Sequence, residues 1–231
     1  MSTFVDRNIP CPSCSFVQVR SVAKSLNGPR VPEVVDEILA ARFQRYACDE
    51  CGTSYTVDLP LVFLDFDARI WIGMFPLAWE LRWAELEDQP RESWSKNMID
   101  HAPPIVRSMS EGFRIRAVFG LDALREKLLC FHAGLDDAYL ELLKLDLMRS
   151  TEGLLFHPGH RPSLIEVDDE GLVFAIDGMS ESGAPRPGRL EVPRARLEGM
   201  RMDPAAWEPA LRKVKQGPYV DVGRIMLGGA G

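Results

Sequence analysis

Four cysteines stand in two Cys-x-x-Cys pairs, Cys11-Pro-Ser-Cys14 and Cys48-Asp-Glu-Cys51. Zinc takes four thiolates in a tetrahedron, and each tight turn supplies two sulfurs from one stretch of backbone. Pro12 stiffens the first turn, and Gly52 follows the last ligand, where a Cβ often clashes. The 33 residues between the pairs, 15–47, exceed the usual ribbon separation, but a helix can occupy that excursion. Four protein ligands leave no open coordination position, so Cys11, Cys14, Cys48 and Cys51 predict one structural zinc per chain and argue against a zinc hydrolase. The competing readings are cysteines without metal, or a thioredoxin-like redox pair; the latter should join a strand to a helix.

Other residues with chemical potential have simpler explanations. His157-Pro-Gly-His160 could begin a second metal site, but Pro158-Gly159 is an ordinary turn and no third ligand can be named. His101 and His132 are isolated, and no nucleophile elbow accompanies them. Asp136, Asp137 and Glu141 resemble a magnesium or acid–base cluster, yet helix capping and the helix dipole account for early-turn acids. Asp65 and Asp67 could co-ligate a cation from one face of a strand; solvent-facing alternation is the simpler account. Cys130 reads as a small core residue. Gly228 to Gly231 closes the chain with no helix after it to hold a phosphate. Trp71, Trp79, Trp83 and Trp94 fall within 24 residues, as core or as an aromatic interface. On a helix from Leu77 to Leu86, Trp79, Trp83 and Leu86 form one stripe and Leu77, Leu81 and Ala84 another. Only one stripe can face the core directly. Trp79 or Trp83 is therefore expected at a subunit interface or beneath residues 151–231.

The formal net charge of −7 sets limits on partners. Nonspecific nucleic-acid binding needs basic surface to displace counterions, and the densest basic region, Arg186 to Arg201, is interrupted by Glu191 and Glu198. The N-terminus lacks the basic start and apolar stretch of a signal peptide. The most apolar run, Leu59 to Met74, carries Asp65, Asp67 and Arg69, so a membrane span is not expected. These features predict a soluble, cytoplasmic protein whose reduced cysteines are metal ligands.

The elements that must position the cysteines follow from periodicity. Phe16 to Arg20 suits a strand. Pro32 can open a helix that carries Val35, Ile38, Leu39 and Phe43 on helical spacing. Ser54 to Val57 forms another strand, and Leu61 to Ile72 one long ribbon. Residues 77–87 read as helix until Gln89-Pro90; helix resumes over Glu92 to Ile99 and stops at Pro103-Pro104. Phe113 to Phe119 alternates as a half-buried strand, followed by a helix marked by Leu121, Leu124, Leu128 and Phe131. Asp136 caps a further helix, apolar on most sides and hence buried. Leu164 to Val167 and Leu172 to Ile176 flank a hairpin turn, and Gly178 to Gly188 reads as a loop. Asp203-Pro204 opens a short helix with Met202 and Trp207 in staple positions. Tyr219 to Met226 reads as a final strand.

The two cysteine pairs, with Phe113-Arg-Ile-Arg-Ala-Val118, Leu124-Arg-Glu-Lys-Leu128, Leu135-Asp-Asp137 and Glu141-Leu-Leu-Lys144 following in order, resemble the CpXC protein family over residues 11–148. The second pair has Asp49 where the name would place a proline. The resemblance implies a bacterial or archaeal protein with four cysteine ligands and no assigned activity. The expected fold is α+β: a zinc-ribbon β element with a helical layer over 1–150, then a smaller β-rich region with one short helix over 151–231. The expected function is a structural-zinc protein acting through protein partners or self-association, with no small-molecule substrate identified. The alternatives are an enzyme with an unrecognised acidic site, and a zinc-ribbon nucleic-acid binder.

Overall fold

The computed structural model describes residues 2–100, 102–154, 156–179 and 185–228. The sequence readings of His101 and of the Gly229–Gly231 tail fall outside them. The chain divides into two compact units, Met1–Leu124 and Arg125–Gly231. The architecture is α+β, with the cysteines in the N-terminal strand region.

In the first unit, β1 (Thr3–Pro10) and β2 (Val17–Asn27) form an antiparallel hairpin, with Pro10 opposite Val17 and Phe4 opposite Ala23. The sequence reading missed β1 and took only the start of β2. Helix α1 (Pro32–Leu39) opens on proline and buries Val35 and Ile38. A second, shorter hairpin follows, β3 (Arg45–Ala47) with β4 (Ser54–Thr56). The ribbon expected over Leu61 to Ile72 is instead two strands, β5 (Leu61–Asp65) and β6 (Ile70–Phe75). Asp65 breaks it: its Oδ1 accepts from the N–H groups of Asp67 and Ala68 at 2.8 and 2.9 Å, and Arg69 turns with a φ of 52°. Asp65 thus closes a turn, as short acidic side chains do.

The segment after β6 is a 3-10 turn, Leu77–Arg82, running into α2 (Trp83–Leu86), then α3 (Gln89–Ser95) and, beyond a π turn, α4 (Pro104–Met109). Pro90 and Pro104 each lie in the first turn of a new helix, where no N–H is missed. Strand β7 (Arg114–Phe119) completes a five-stranded sheet in the order β1-β2-β5-β6-β7. Pairings β2–β5 and β6–β7 are parallel, and β1–β2 and β5–β6 antiparallel. Gly73 in β6 is where the proline of α3 reaches the sheet: a Cβ there would stand 2.5 Å from Pro90 Cγ.

Three of the four clustered tryptophans are core. Trp71 and Trp94 meet edge to face at 5.3 Å, with Met98, Phe66 and Phe113 around them, and Trp83 is buried. This corrects the interface expectation for Trp83. The outward-facing residues here are Leu77, Leu81 and, at 38% exposure, Trp79.

Helix α5 (Leu121–His132) starts in the first unit and continues into the second, which adds α6 (Asp137–Ser150). This division falls ahead of the boundary expected at residue 150, and α6 packs against the later helices α7 (Arg194–Met202) and α8 (Pro204–Val214). Asp136 caps α6 by accepting from Ala138 N at 2.9 Å. Strands β8 (Ser163–Val167), β9 (Gly171–Met179) and β10 (Pro185–Pro193) form a sheet in the order β10-β9-β8. Of the expected Gly178 to Gly188 loop, 178–179 and 185–188 are paired strand, and 180–184 lie outside the described residues.

Helices α7 (Arg194–Met202), α8 (Pro204–Val214) and α9 (Gly223–Met226) follow, where the sequence suggested a single short helix and a final strand. Met202 is exposed, so the proposed staple is absent. Tyr219–Met226 is no strand because its backbone finds other partners: Lys127 Nζ donates to Val220 O, and Val222 N donates to Glu141.

Candidate metal centre

The two cysteine turns share one local design. In the first, between β1 and β2, Cys11 N donates to Phe16 O and Ser15 N to Cys11 O, both at 2.9 Å. In the second, between β3 and β4, Cys48 N donates to Thr53 O and Gly52 N to Cys48 O, again at 2.9 Å. The residue after each pair is left-handed, Ser15 at φ 63° and Gly52 at φ 71°. Glycine adopts that conformation freely; serine does so with strain. The turns are thus built twice from the same hydrogen bonds, with glycine in only one of them.

All four sulfurs lie within 4.8 Å of one another. Cys11 Sγ is 3.7 Å from Cys51 Sγ, and Cys14 Sγ is 3.6 Å from Cys48 Sγ. A tetrahedron with metal–sulfur bonds of about 2.3 Å has edges of about 3.8 Å. A disulfide would bring the sulfurs to about 2.05 Å, and none of the five cysteines is in one. The spacing therefore fits four thiolates around one ion. Cys11 and Cys48 are buried with Val22, Tyr55 and Val57, and Cys14 and Cys51 face outward.

The thiols are not electrostatically equivalent. Thr53, through its hydroxyl 3.3 Å away and its backbone, lowers Cys51 to about 6, with help from Cys14. A backbone contact from Phe16 favours the Cys14 thiolate, but local desolvation within the sulfur cluster and the neighbouring Cys51, Cys48 and Cys11 outweigh it and raise Cys14 to about 12.

Two residues the sequence reading passed over hold the second turn. Gln18 Oε1 accepts from Asp49 N at 3.0 Å, and Gln18 Nε2 donates to Tyr55 Oη at 3.0 Å. Arg20 Nη2 shares its two hydrogens among Gln18 Oε1, Ala47 O and Asp49 Oδ1, at 2.6, 2.7 and 2.9 Å. The alternation Phe16-Val17-Gln18-Val19-Arg20 carried the signal, since it places Gln18 and Arg20 on one strand face.

The other candidates do not assemble into sites. Among the described residues, only the four cysteines bring three or more potential ligands together. His160 Nδ1 lies 3.0 Å from Asp177 Oδ2, whereas His157 Nδ1 accepts from Gly159 N at 3.1 Å and closes the turn. Asp137 and Glu141 belong to a buried ionic network in the second unit. Lys127 Nζ lies 3.1 Å from Asp137 Oδ2 and 3.2 Å from Glu141 Oε1; Lys144 Nζ contacts Glu126 and lies 3.0 Å from Glu141 Oε2. Burial would lower Lys127, but Asp137 and Glu141 outweigh it and hold its pKa up; burial raises Glu141. Burial also raises the Cys130 thiol, as a core residue requires.

One cysteine turn on the β1–β2 hairpin of the mixed sheet and one on the separate two-stranded β3–β4 sheet bring four sulfurs into one cluster, a zinc-ribbon-like arrangement. The chain belongs to the CpXC family: the model of the CpXC protein matches residues 9–144. No curated relative and no solved structure matches it. Among the described residues no helix is long and apolar enough to cross a membrane.

Proposed function

We propose that this protein is a structural-zinc module that acts through protein contacts, with one zinc held by Cys11, Cys14, Cys48 and Cys51. The thiolate set selects zinc over hard cations, and four protein ligands close the coordination sphere to substrate. The metal then fixes a surface rather than performing a reaction. The observation that supports contact work is the outer face of the β1–β2 hairpin. Its pairing register puts Phe4, Pro10, Val17 and Val19 on one side, and Phe4, Val17 and Val19 are 43%, 56% and 61% exposed. Single exposed apolar residues are ordinary, but several on one face beside a metal-fixed turn suit a partner. An acidic chain of net charge −7 favours a protein over nucleic acid as that partner.

The test compares wild type with a Val17→Glu/Val19→Glu variant, each purified from the native host under mild cross-linking. A partner, or a second copy, should be recovered with wild type and lost from the variant, while zinc content and thermal midpoint stay unchanged. Identical recovery from both would overturn the reading.

A further inference from the structure

We infer that Gln18 and Arg20 are positioning residues for the metal centre, holding the second cysteine turn in its ligating geometry before the ion arrives. The inference rests on the reading that the four thiolates hold a metal. The second turn sits on strands of three residues each, β3 and β4. A two-stranded hairpin that short has little stability alone. Its anchors come from β2, the strand that begins three residues after Cys14. Gln18 and Arg20 grip Asp49 N and Ala47 O, the backbone groups on either side of Cys48. Gln18 is 6% exposed and its amide also engages Tyr55, which is buried beside Cys11 and Cys48. Arg20 lies over the Tyr46 ring at 5.5 Å, and Tyr46 Oη donates to Ser21 O at 2.7 Å, closing the link between β2 and β3. The strand that follows the first turn thus carries the clamp on the second. The clamp removes ordering that metal uptake would otherwise have to supply, which is how preorganisation raises affinity.

The experiment measures zinc affinity of the full-length chain by competition with a chromogenic chelator, and cobalt uptake by absorption. Gln18→Leu and Arg20→Leu should each weaken zinc binding by about 10–100-fold, the usual cost of losing an outer contact to a metal ligand. The saturated cobalt spectrum should keep its tetrahedral thiolate bands, because the four ligands are unchanged. Gln18→Glu keeps the acceptor for Asp49 N and Arg20, and Tyr55 can turn its hydroxyl to donate, so it should bind within about threefold of wild type. A purely structural role would lower the thermal midpoint and leave affinity alone; leucine variants that titrate like wild type overturn the inference. So does a Gln18→Glu variant as weak as Gln18→Leu. Should the leucine variants fail to fold, Arg20→Lys decides: it keeps the charge but lacks the guanidinium fork, and wild-type affinity there also overturns the clamp. Wild type that takes up no metal overturns the metal reading itself, a result distinct from all of these.

Discussion

Replacing Lys144 with methionine should destabilise the second unit severely. The ammonium is 4% exposed and is shared by Glu126 and Glu141, themselves 4% and 0% exposed. Methionine fills most of the stem but leaves both carboxylates without that partner. Removing one member of a buried pair costs about 3–5 kcal/mol, a large share of the ~5–15 kcal/mol that holds a domain together. For a chain of this size that is roughly 6–20 °C of thermal midpoint, at about 2–4 °C per kcal/mol. The double variant Glu126→Gln/Lys144→Met should recover part of the loss. It deletes charges of both signs, and glutamine still offers an oxygen to Leu164 N, which now donates to Glu126 Oε2 at 2.6 Å. The pH dependence has a definite sign. Lys127 and Lys144 are raised, so their contribution is complete below the ordinary lysine range and declines as pH rises through the folded values. Burial of Asp221 is outweighed by Arg161, Lys144 and Lys127, which hold it at about 2; its contribution is present above the ordinary aspartate range and is lost as pH falls towards 2. Glu141, raised by burial, works the other way and is relieved on protonation. Chemical denaturation of wild type and both variants from pH 2 to 11 measures the loss, its recovery and its pH dependence. A Lys144→Met loss below about 1 kcal/mol, the scale of an exposed pair, would refute the reasoning.

Cys14→Ser or Cys51→Ser should lose the metal and most of the stability of the ribbon, since structural zinc binds with roughly 10–16 kcal/mol in small peptides; metal analysis and a thermal melt check it. At the repeated turns, Ser15→Gly should stabilise and Gly52→Ala destabilise the metal-loaded protein by about 1 kcal/mol each, because only the left-handed residue changes; denaturant midpoints read both. Affinity for duplex DNA or RNA should be weak and vanish by physiological salt, and a salt titration showing tight binding there would favour the nucleic-acid alternative.

Metal spacing was legible because four cysteines in two short turns admit few other chemistries, and the structure puts their sulfurs where that spacing requires. Helices with strong signals were legible too: Pro32 opens α1, and Asp136 caps α6. What escaped the sequence was set by contacts distant along the chain. Strand β1 has no strong alternation of its own and owes its form to pairing with β2. Pro90 and Pro104 look alike as terminators and initiators, because proline is compatible with either end of a helical segment. Helix capping and the helix dipole account for early-turn acids such as Asp137 and Glu141 without reference to depth, although their place beside Leu140, Leu142, Leu143 and Leu145 on a helix apolar on most sides requires burial.

That buried network also bears on where the protein can be divided. The family match ends at residue 144, and five network side chains, Glu126, Lys127, Asp137, Glu141 and Lys144, lie inside it. Their remaining partners do not. Lys127 needs Val220 O, Glu141 needs Val222 N and Glu126 needs Leu164 N, while Asp221 accepts from Gly223 N and lies 3.8 Å from Arg161. Ending the chain at 150 would therefore leave α5 and α6 with buried ions whose backbone partners are gone, and unsatisfied buried charge is among the costliest defects a fold can carry. Asp221 also interacts with Lys127, Lys144 and Arg161, so part of the network's charge balance is present only with 161–221. The matched segment is thus a unit of sequence, whereas the unit that can bury its own charges runs from Arg125 through the C-terminal helices.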